Sequence, residues 1–370
     1  MHASRLEHGF LPALACAALL AACSSGSSDG PAPAPPPPIG GGEPDFAAVR
    51  AAVDAFAFDD VVLLIGDETG ELYRYEKGLL RAEDVVSVAS ASKMISGLGV
   101  WRLVEAGDLN REDAPQDHLV FWETMEPAGR SGVTLDHLLG FVSGFNNAPT
   151  EPGCIGDGVS TLPECVTEIH DGGIDTAPGA SLYYGPEHLQ IAALMAVEAV
   201  GATDFGAILR DRLFDPAGVS ASTRFSPLAG DNPRYAGGLG ATAEDYGRIL
   251  TGVLSGALVS DLAGYLEDRT ASATVGYRPD SIDANNLDWR YGAGFWIECD
   301  APVFQAACAT TPTISSPGAF GFTPWIDFGN DYWGVIAMQA VATANFRPAE
   351  ASVLLEQELQ PLIETALSGG

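Results

Sequence analysis

Strand-like sequence sits at the two ends of the folded part of this chain and not between them. "VVLLIGDETGELYRYEKG" (61–78) reads as a hairpin turning at Thr69-Gly70. The other strand candidates, "YGAGFWIE" (291–298), "AFGFTPWIDF" (319–328) and "YWGVIAMQAV" (332–341), wait until the last third, the latter two joined by a Gly329-Asn330-Asp331 turn. A lone hairpin leaves unpaired edges, so the early strands are expected to join the late ones in one sheet that is split in sequence. Between them, residues from about 100 to 235 alternate helical runs with loops rich in Gly and Pro, which makes them an insertion. A helix precedes the hairpin, "EPDFAAVRAAVDAFAF" (43–58), and another, "PAEASVLLEQELQPLIETAL", closes the chain. The order helix, two strands, long helical insertion, three strands, helix describes an α/β (α+β) sandwich. No repeat period stands out.

The 370 residues, 46% of them hydrophobic, suffice for one large core or two fused ones. A formal net charge of -31 argues against a nucleic-acid partner, because phosphate contacts need clustered cations, and it disfavours anionic membranes and polyanionic substrates. The first residues, "MHASRLEHGFLPALACAALLAACSS", combine a short n-region with an apolar run too short to span a bilayer, followed by small residues before a cysteine. Leu20-Ala21-Ala22-Cys23 resembles a bacterial lipobox. Residues 1–22 are then a signal peptide, Cys23 is the lipidation site and membrane anchor, and residues 23–42, "SSGSSDGPAPAPPPPIGGG" after the cysteine, form a tether. Ser24 suggests sorting to the outer membrane of the cell envelope, facing the periplasm. The folded domain is expected over 43–370. Cys154, Cys165, Cys299 and Cys308 remain for an exported domain, and pairing Cys154 with Cys165 and Cys299 with Cys308 closes two short loops. A four-thiolate zinc site lacks its usual C-x-x-C spacing, no H-E-x-x-H or Asp/His cluster suggests another metal, and no cofactor is called for.

The chain contains two lysines, Lys77 and Lys93, and places the second within "VASASKMISG" (88–97), a run of small uncharged residues. Its continuation, "MISGLGVWRLVEAG", is apolar nearly all round, as a buried helix would be. Ser90-Ala91-Ser92-Lys93 sets a hydroxyl and an amine three residues apart, on one helical face and about 4.5 Å apart along the axis. A serine opening that helix presents an outward N–H and the positive end of the macrodipole to a developing oxyanion. An amine in an apolar site is favoured in the neutral form that accepts a proton. An N-capping serine beside a surface lysine would produce the same letters, so the motif's meaning depends on its context.

That context resembles the serine β-lactamase and penicillin-binding-protein family, in its class C β-lactamase, esterase and DD-peptidase branch, over nearly all of residues 44–370. "SVASASKMISGLGVWRLVEAGDLN" matches the nucleophile helix, and "VTLDHLLGFVSGF" (133–145) matches the family's "ITIRHLLTHTSGL". "APGASLYYGPEHLQIAALMAVEAVG" matches "PGxxFxYSNxGYxLLG", and "GGLGATAEDYGRIL" (237–250) and "YGAGFWIE" follow in order. The resemblance implies a mostly antiparallel sheet flanked by terminal helices with an inserted helical domain. It also implies that Ser90 is the nucleophile, with Lys93 and Tyr184 moving protons in an acyl-enzyme mechanism. Tyr184 stands at the tyrosine of Y-x-N, with adjacent Tyr183 as the alternative; a phenol of ordinary pKa is a poor base, so Lys93 is expected to lower it.

Two boxes depart from the family. Tyr184-Gly185-Pro186 puts Pro186 where Y-x-N has its Asn, and Ser316-Pro317-Gly318 stands where K-T-G or H-x-G would line the site. The following "AFGFTPWID" resembles "GAFGTxxWID" of the esterase-like branch. Gly318 would let substrate approach the backbone, and the N–H groups of Ser90 and Ala319 would form the oxyanion hole. Ser316, Pro186 and Trp325 complete the expected substrate-binding set, Trp325 and Trp333 being equally readable as core. With no cation at Ser316, a neutral ester or amide is expected in preference to a β-lactam or a D-Ala-D-Ala peptide, Arg347 being the residue that could restore the charge. A β-lactamase or DD-carboxypeptidase, and a non-catalytic envelope-binding lipoprotein, remain as other readings. The oligomeric state is open. Gly26–Gly30 spells G-x-S-x-G, but inside the tether with no strand before it, and His188 reads as a structural hydrogen-bonder.

Overall fold

The computed structural model describes residues 44–122, 129–146, 152–226, 231–283 and 288–369. The lipobox, Cys23 and the tether lie outside the described residues. α1 (Ala47–Ala55) leads into β1 (Val61–Asp67), whose first six residues are all buried, and β2 (Gly70–Lys77) returns beside it. Six consecutive buried residues mean that both faces of the sheet are covered. Val61, Leu63 and Ile65 pack with Phe46, Val49, Leu355, Leu359 and Ile363, whereas Val62 and Leu64 join the larger core on the opposite face.

The Ser90–Lys93 segment follows: β3 (Val86–Ser87), a 3₁₀ turn at Ala89–Ala91, and α2 (Ser92–Ala106), buried from Ser92 through Trp101. Then come α3 (Pro115–His118), α4 (Leu135–Leu139), α5 (Leu162–Gly172), β4 (Ser181–Tyr183), α6 (Glu187–Val200) and α7 (Phe205–Leu209). β5 (Arg224–Phe225) and β6 (Leu239–Ala241) add to β3 as a small antiparallel sheet, and α8 (Ala243–Leu254) and α9 (Leu262–Tyr265) follow. β7 (Thr274–Tyr277) pairs in parallel with β4, and α10 (Asp280–Asp283) ends this middle part.

The last third supplies β8 (Arg290–Tyr291), β9 (Trp296–Ile297), β10 (Thr313–Ser315), β11 (Thr323–Asp327), β12 (Tyr332–Ala337) and the closing helix α11 (Pro348–Ser368). The main sheet runs β2-β1-β12-β11-β10-β9-β8 with every neighbour antiparallel, so the two ends of the chain meet at β1 and β12, where Val62 faces Ala337. This is the split sheet expected from the sequence. "YGAGFWIE" is two short strands around a tight turn rather than one strand, with Gly292 N–H donating to Phe295 C=O at 2.9 Å. β10 had no periodic signal of its own. Asp327 shapes the 329–331 turn by accepting the N–H groups of Gly329 and Asn330 at 2.8 and 3.0 Å. Both expected disulfides are present, Cys154–Cys165 and Cys299–Cys308.

Candidate active site

The lone lysine in a run of serines and alanines has a structural explanation. α2 lies against residues 235–239, which lead into β6, and its polar side chains are spent on that stretch of backbone. Ser96 Oγ donates to Tyr235 C=O at 2.7 Å, Ser92 Oγ accepts from Leu239 N–H at 3.0 Å, and Lys93 Nζ donates to Ala236 C=O at 2.8 Å. On its other side, Lys93 Nζ lies 3.1 Å from Ser90 Oγ. Lys93 is 5% exposed, as the dry placement predicted from its neighbours requires.

Ser90 does not open α2. It lies in the 3₁₀ turn ahead of it, and Ala89 reaches that turn with φ +47°, a left-handed conformation that costs an alanine about 1–3 kcal/mol. The surroundings hold it in place: Val88 N–H donates to Leu239 C=O at 3.1 Å, Tyr246 Oη donates to Ala91 C=O at 2.8 Å, and Ser316 Oγ donates to Ser90 C=O at 3.0 Å.

Tyr184 follows β4, its N–H donating to Tyr277 C=O at 3.0 Å. Its ring stacks on Trp296 at 5.3 Å, meets Tyr291 edge-on at 5.9 Å, and has Lys93 Nζ 4.4 Å from its centroid. Burial pushes the phenol above its ordinary value, the Ser90 hydroxyl pulling the other way. The direction is opposite to the one expected from Lys93, and the phenol stays protonated at neutral pH. Tyr183 points elsewhere: a Cβ on Gly276 would come within 2.0 Å of its ring. His188 braces the pair. Its Nε2–H donates to Tyr183 C=O at 2.9 Å, which leaves Nδ1 to accept from Ser143 Oγ at 2.8 Å. Burial holds His188 down to about 4, so it is neutral and structural.

Ser90, Lys93, Tyr184, Pro186 and Ala319 line one cavity of about 510 Å³. Pro186 stands at its wall, at the start of α6, and contributes no donor. Ala319 is exposed to the cavity, and among the described residues no backbone acceptor takes its N–H.

Three expected substrate contacts are corrected. Ser316 is 2% exposed, and its hydroxyl is turned onto the backbone of Ser90 instead of the cavity. Gly318 is a glycine because a Cβ would lie 2.1 Å from Val88 C=O, so the close approach it permits is to the protein's own chain. Trp325 is fully buried on the far face of the sheet with Phe46 and Leu359, since residues alternate faces along β11. Trp333 donates from Nε1 to Asp67 C=O, also away from the cavity. Arg347 pairs with Asp280 at 3.0 Å in a separate groove. The sequence reading missed Arg234 and Ala236, which line the cavity from just ahead of the recognised "GGLGATAEDYGRIL", whose first residue, Gly237, lines it as well.

The Beta-lactamase family profile matches residues 60–358, from β1 into α11 and across every element of the cavity. The chain belongs to the β-lactamase family. That family comprises serine hydrolases acting on small-molecule esters or amides. Solved structures agree on the fold. A protein of Bacteroides dorei DSM 17855 described as a beta-lactamase superposes with TM-score 0.71 at 23% identity, covering 86% of this chain and 99% of its own. EstCE1, a hydrolase with promiscuous acyltransferase activity, gives 0.62 at 16% identity, covering 86% and 96%. A penicillin binding protein from Bacillus halodurans gives 0.61 at 16%, covering 84% and 98%. At these identities the likeness speaks for the fold alone. No curated protein sequence matches.

Proposed function

We propose that this β-lactamase family member cleaves an ester or amide of a small molecule through a Ser90 acyl-enzyme. Neutral Lys93 takes the Ser90 proton as Oγ attacks the carbonyl carbon, and the tetrahedral oxyanion sits on the N–H groups of Ser90 and Ala319. Tyr184, kept protonated by burial, donates to the leaving group and recovers its proton through Lys93. Water then attacks the acyl-enzyme and releases the acid. The observation that carries this reading is the 3.1 Å contact between Ser90 Oγ and a buried lysine at a cavity wall.

Ser316 supports esters and amides over β-lactams. The position at which a K-T-G lysine would meet a carboxylate holds a hydroxyl already committed to Ser90, so a donor that is neutral beside its scissile bond suits this wall. We also propose export and lipid anchoring at Cys23, a reading supported by the lipobox-like sequence and by two disulfides, which persist in oxidising compartments.

A fluorophosphonate probe is expected to label the wild type, and p-nitrophenyl butyrate to be turned over, while Ser90→Ala does neither. Turnover by Ser90→Ala equal to wild type overturns the assignment.

A further inference from the structure

Among the described residues that line the cavity, two have basic side chains and none has an acidic one: Lys93, which the proposed mechanism uses in its neutral form, and Arg234. That is unexpected in a chain with 49 acidic residues against 18 Lys plus Arg. Lys93 is occupied by Ser90 and Ala236. Arg234 stands at the same cavity wall but is exposed, and the backbone that carries it is held by buried groups.

The backbone on both sides of Arg234 is fixed by Gln190, a fully buried residue of α6. Gln190 Nε2 donates to Asn232 Oδ1 at 2.7 Å and to Pro233 C=O at 3.2 Å, and its Oε1 accepts from Tyr235 N–H at 3.0 Å. Asn232 Nδ2 in turn donates to Cys154 C=O at 3.0 Å, tying the segment to the Cys154–Cys165 disulfide loop. The Arg234 carbonyl accepts from Gly237 N–H at 3.0 Å, closing the turn that presents Ala236 to Lys93. The side chain also has a reserved space. A Cβ at Gly156 would lie 2.1 Å from Arg234 Nε, so the guanidinium stem rests against bare backbone where no other residue leaves room. One buried amide thus fixes the stretch of backbone that carries both the Arg234 side chain and the carbonyl that holds Lys93.

We infer that Arg234 is a specificity-determining residue that receives an anionic group, a carboxylate in the first instance, on the part of the substrate directed toward Gly156. The inference rests on the serine hydrolase reading and refines its substrate class. The bond that is cut is neutral, as Ser316 requires, and the molecule carrying it bears an acid further out. A half-ester of a dicarboxylic acid, or an ester of a hydroxy acid, meets both conditions. A planar guanidinium suits a carboxylate through two parallel N–H···O bonds, a contact that lysine cannot reproduce in full.

The test uses two matched pairs of esters. In the first, the charge is on the acyl side: the phenyl half-ester of adipic acid against phenyl hexanoate. In the second, it is on the leaving group: 4-(butyryloxy)benzoate against 4-(butyryloxy)benzamide. The readout is the ratio of kcat/KM within a pair for each protein, which is independent of any general loss of catalysis. The wild type is expected to favour the anionic member of one pair by roughly tenfold, the preference falling as ionic strength rises. Arg234→Ala is expected to abolish the preference and Arg234→Lys to restore part of it, while Gly156→Ala, which displaces the guanidinium without removing it, is expected to reduce it. Equal or reversed ratios in the wild type, or a ratio unchanged in Arg234→Ala, overturn the inference. Equilibrium binding of the same four esters to Ser90→Ala, with and without Arg234→Ala, reads the same preference without turnover. Discrimination there, with no Ser90-dependent hydrolysis in the wild type, would remove the hydrolase reading and leave the Arg234 assignment standing.

Discussion

Ser316 shows how a residue can be legible in the sequence while its role is not. The chain order places it where a family lysine lines the site, but spacing along a strand does not say which way a side chain turns, and this one turns onto the carbonyl of Ser90. The same limit moved Gly318 from substrate to the Val88 backbone, and Trp325 to the opposite face of the sheet. Ser90 and Lys93 were legible because the family pattern gave their three-residue spacing its meaning, even though Ser90 lies in a 3₁₀ turn ahead of α2, and Tyr184 needed the same pattern to separate it from Tyr183. Arg234 escaped because nothing in a linear sequence marks an arginine as facing a cavity. A positioning role for Ser316 makes a distinct prediction. Ser316→Ala removes one hydrogen bond of about 1 kcal/mol, and kcat toward a p-nitrophenyl ester is expected to fall about fivefold with KM unchanged. A rise in KM at constant kcat would return Ser316 to the substrate-binding set.

The contact that places α2 is made of backbone. A Cβ at Gly97 would lie 2.1 Å from Ala293 C=O, and Gly294, at φ +83°, would bring one 2.4 Å from Lys93 C=O. Helix and turn thus touch through two glycines beside Lys93. Gly97→Ala is expected to destabilise the protein by about 1–3 kcal/mol in urea unfolding and to lower ester turnover, because the helix must shift. Gly172→Ala, in α5 with open space around the new methyl, is the control and is expected to be neutral or slightly stabilising. The same turn marks what the sequence showed of the elements. The β1–β2 hairpin, β11, β12, α2 and α11 are long enough to reveal their period. β8 and β9 have two residues each and β10 three, too short for alternation to show, so "YGAGFWIE" was read as one strand and β10 as none.

At the scale of the molecule, stability is tied to pH through a buried acid pair. Gln360, on α11, donates to both Glu298 and Glu356, and all three side chains are buried or nearly so. Burial pushes Glu298 up to about 8 and Glu356 well above the carboxylate range, the charge of Glu298 raising the latter further. A carboxyl that holds its proton more tightly folded than unfolded contributes stability at low pH and loses it as pH rises through the folded value. His188 has the opposite sign: lowered from 6.5 to about 4, it costs stability as pH falls through that interval, so the range above 6.5 isolates the acids. The urea midpoint is expected to be lower at pH 8 than at pH 6.5, and Glu298→Gln is expected to shrink that difference. An equal difference in the variant would show that the slope comes from general repulsion in a chain of net charge -31. The pairing of Val62 with Ala337 sets the order of assembly as well as the architecture. β12 lies between β1 and β11, so a chain emerging vectorially has the Ser90 turn, every helix but α11 and most of its strands in hand while the sheet is still in two pieces. Any truncation reaching into β12 leaves β1 and β11 without their shared neighbour, an unclosed seam in the sheet.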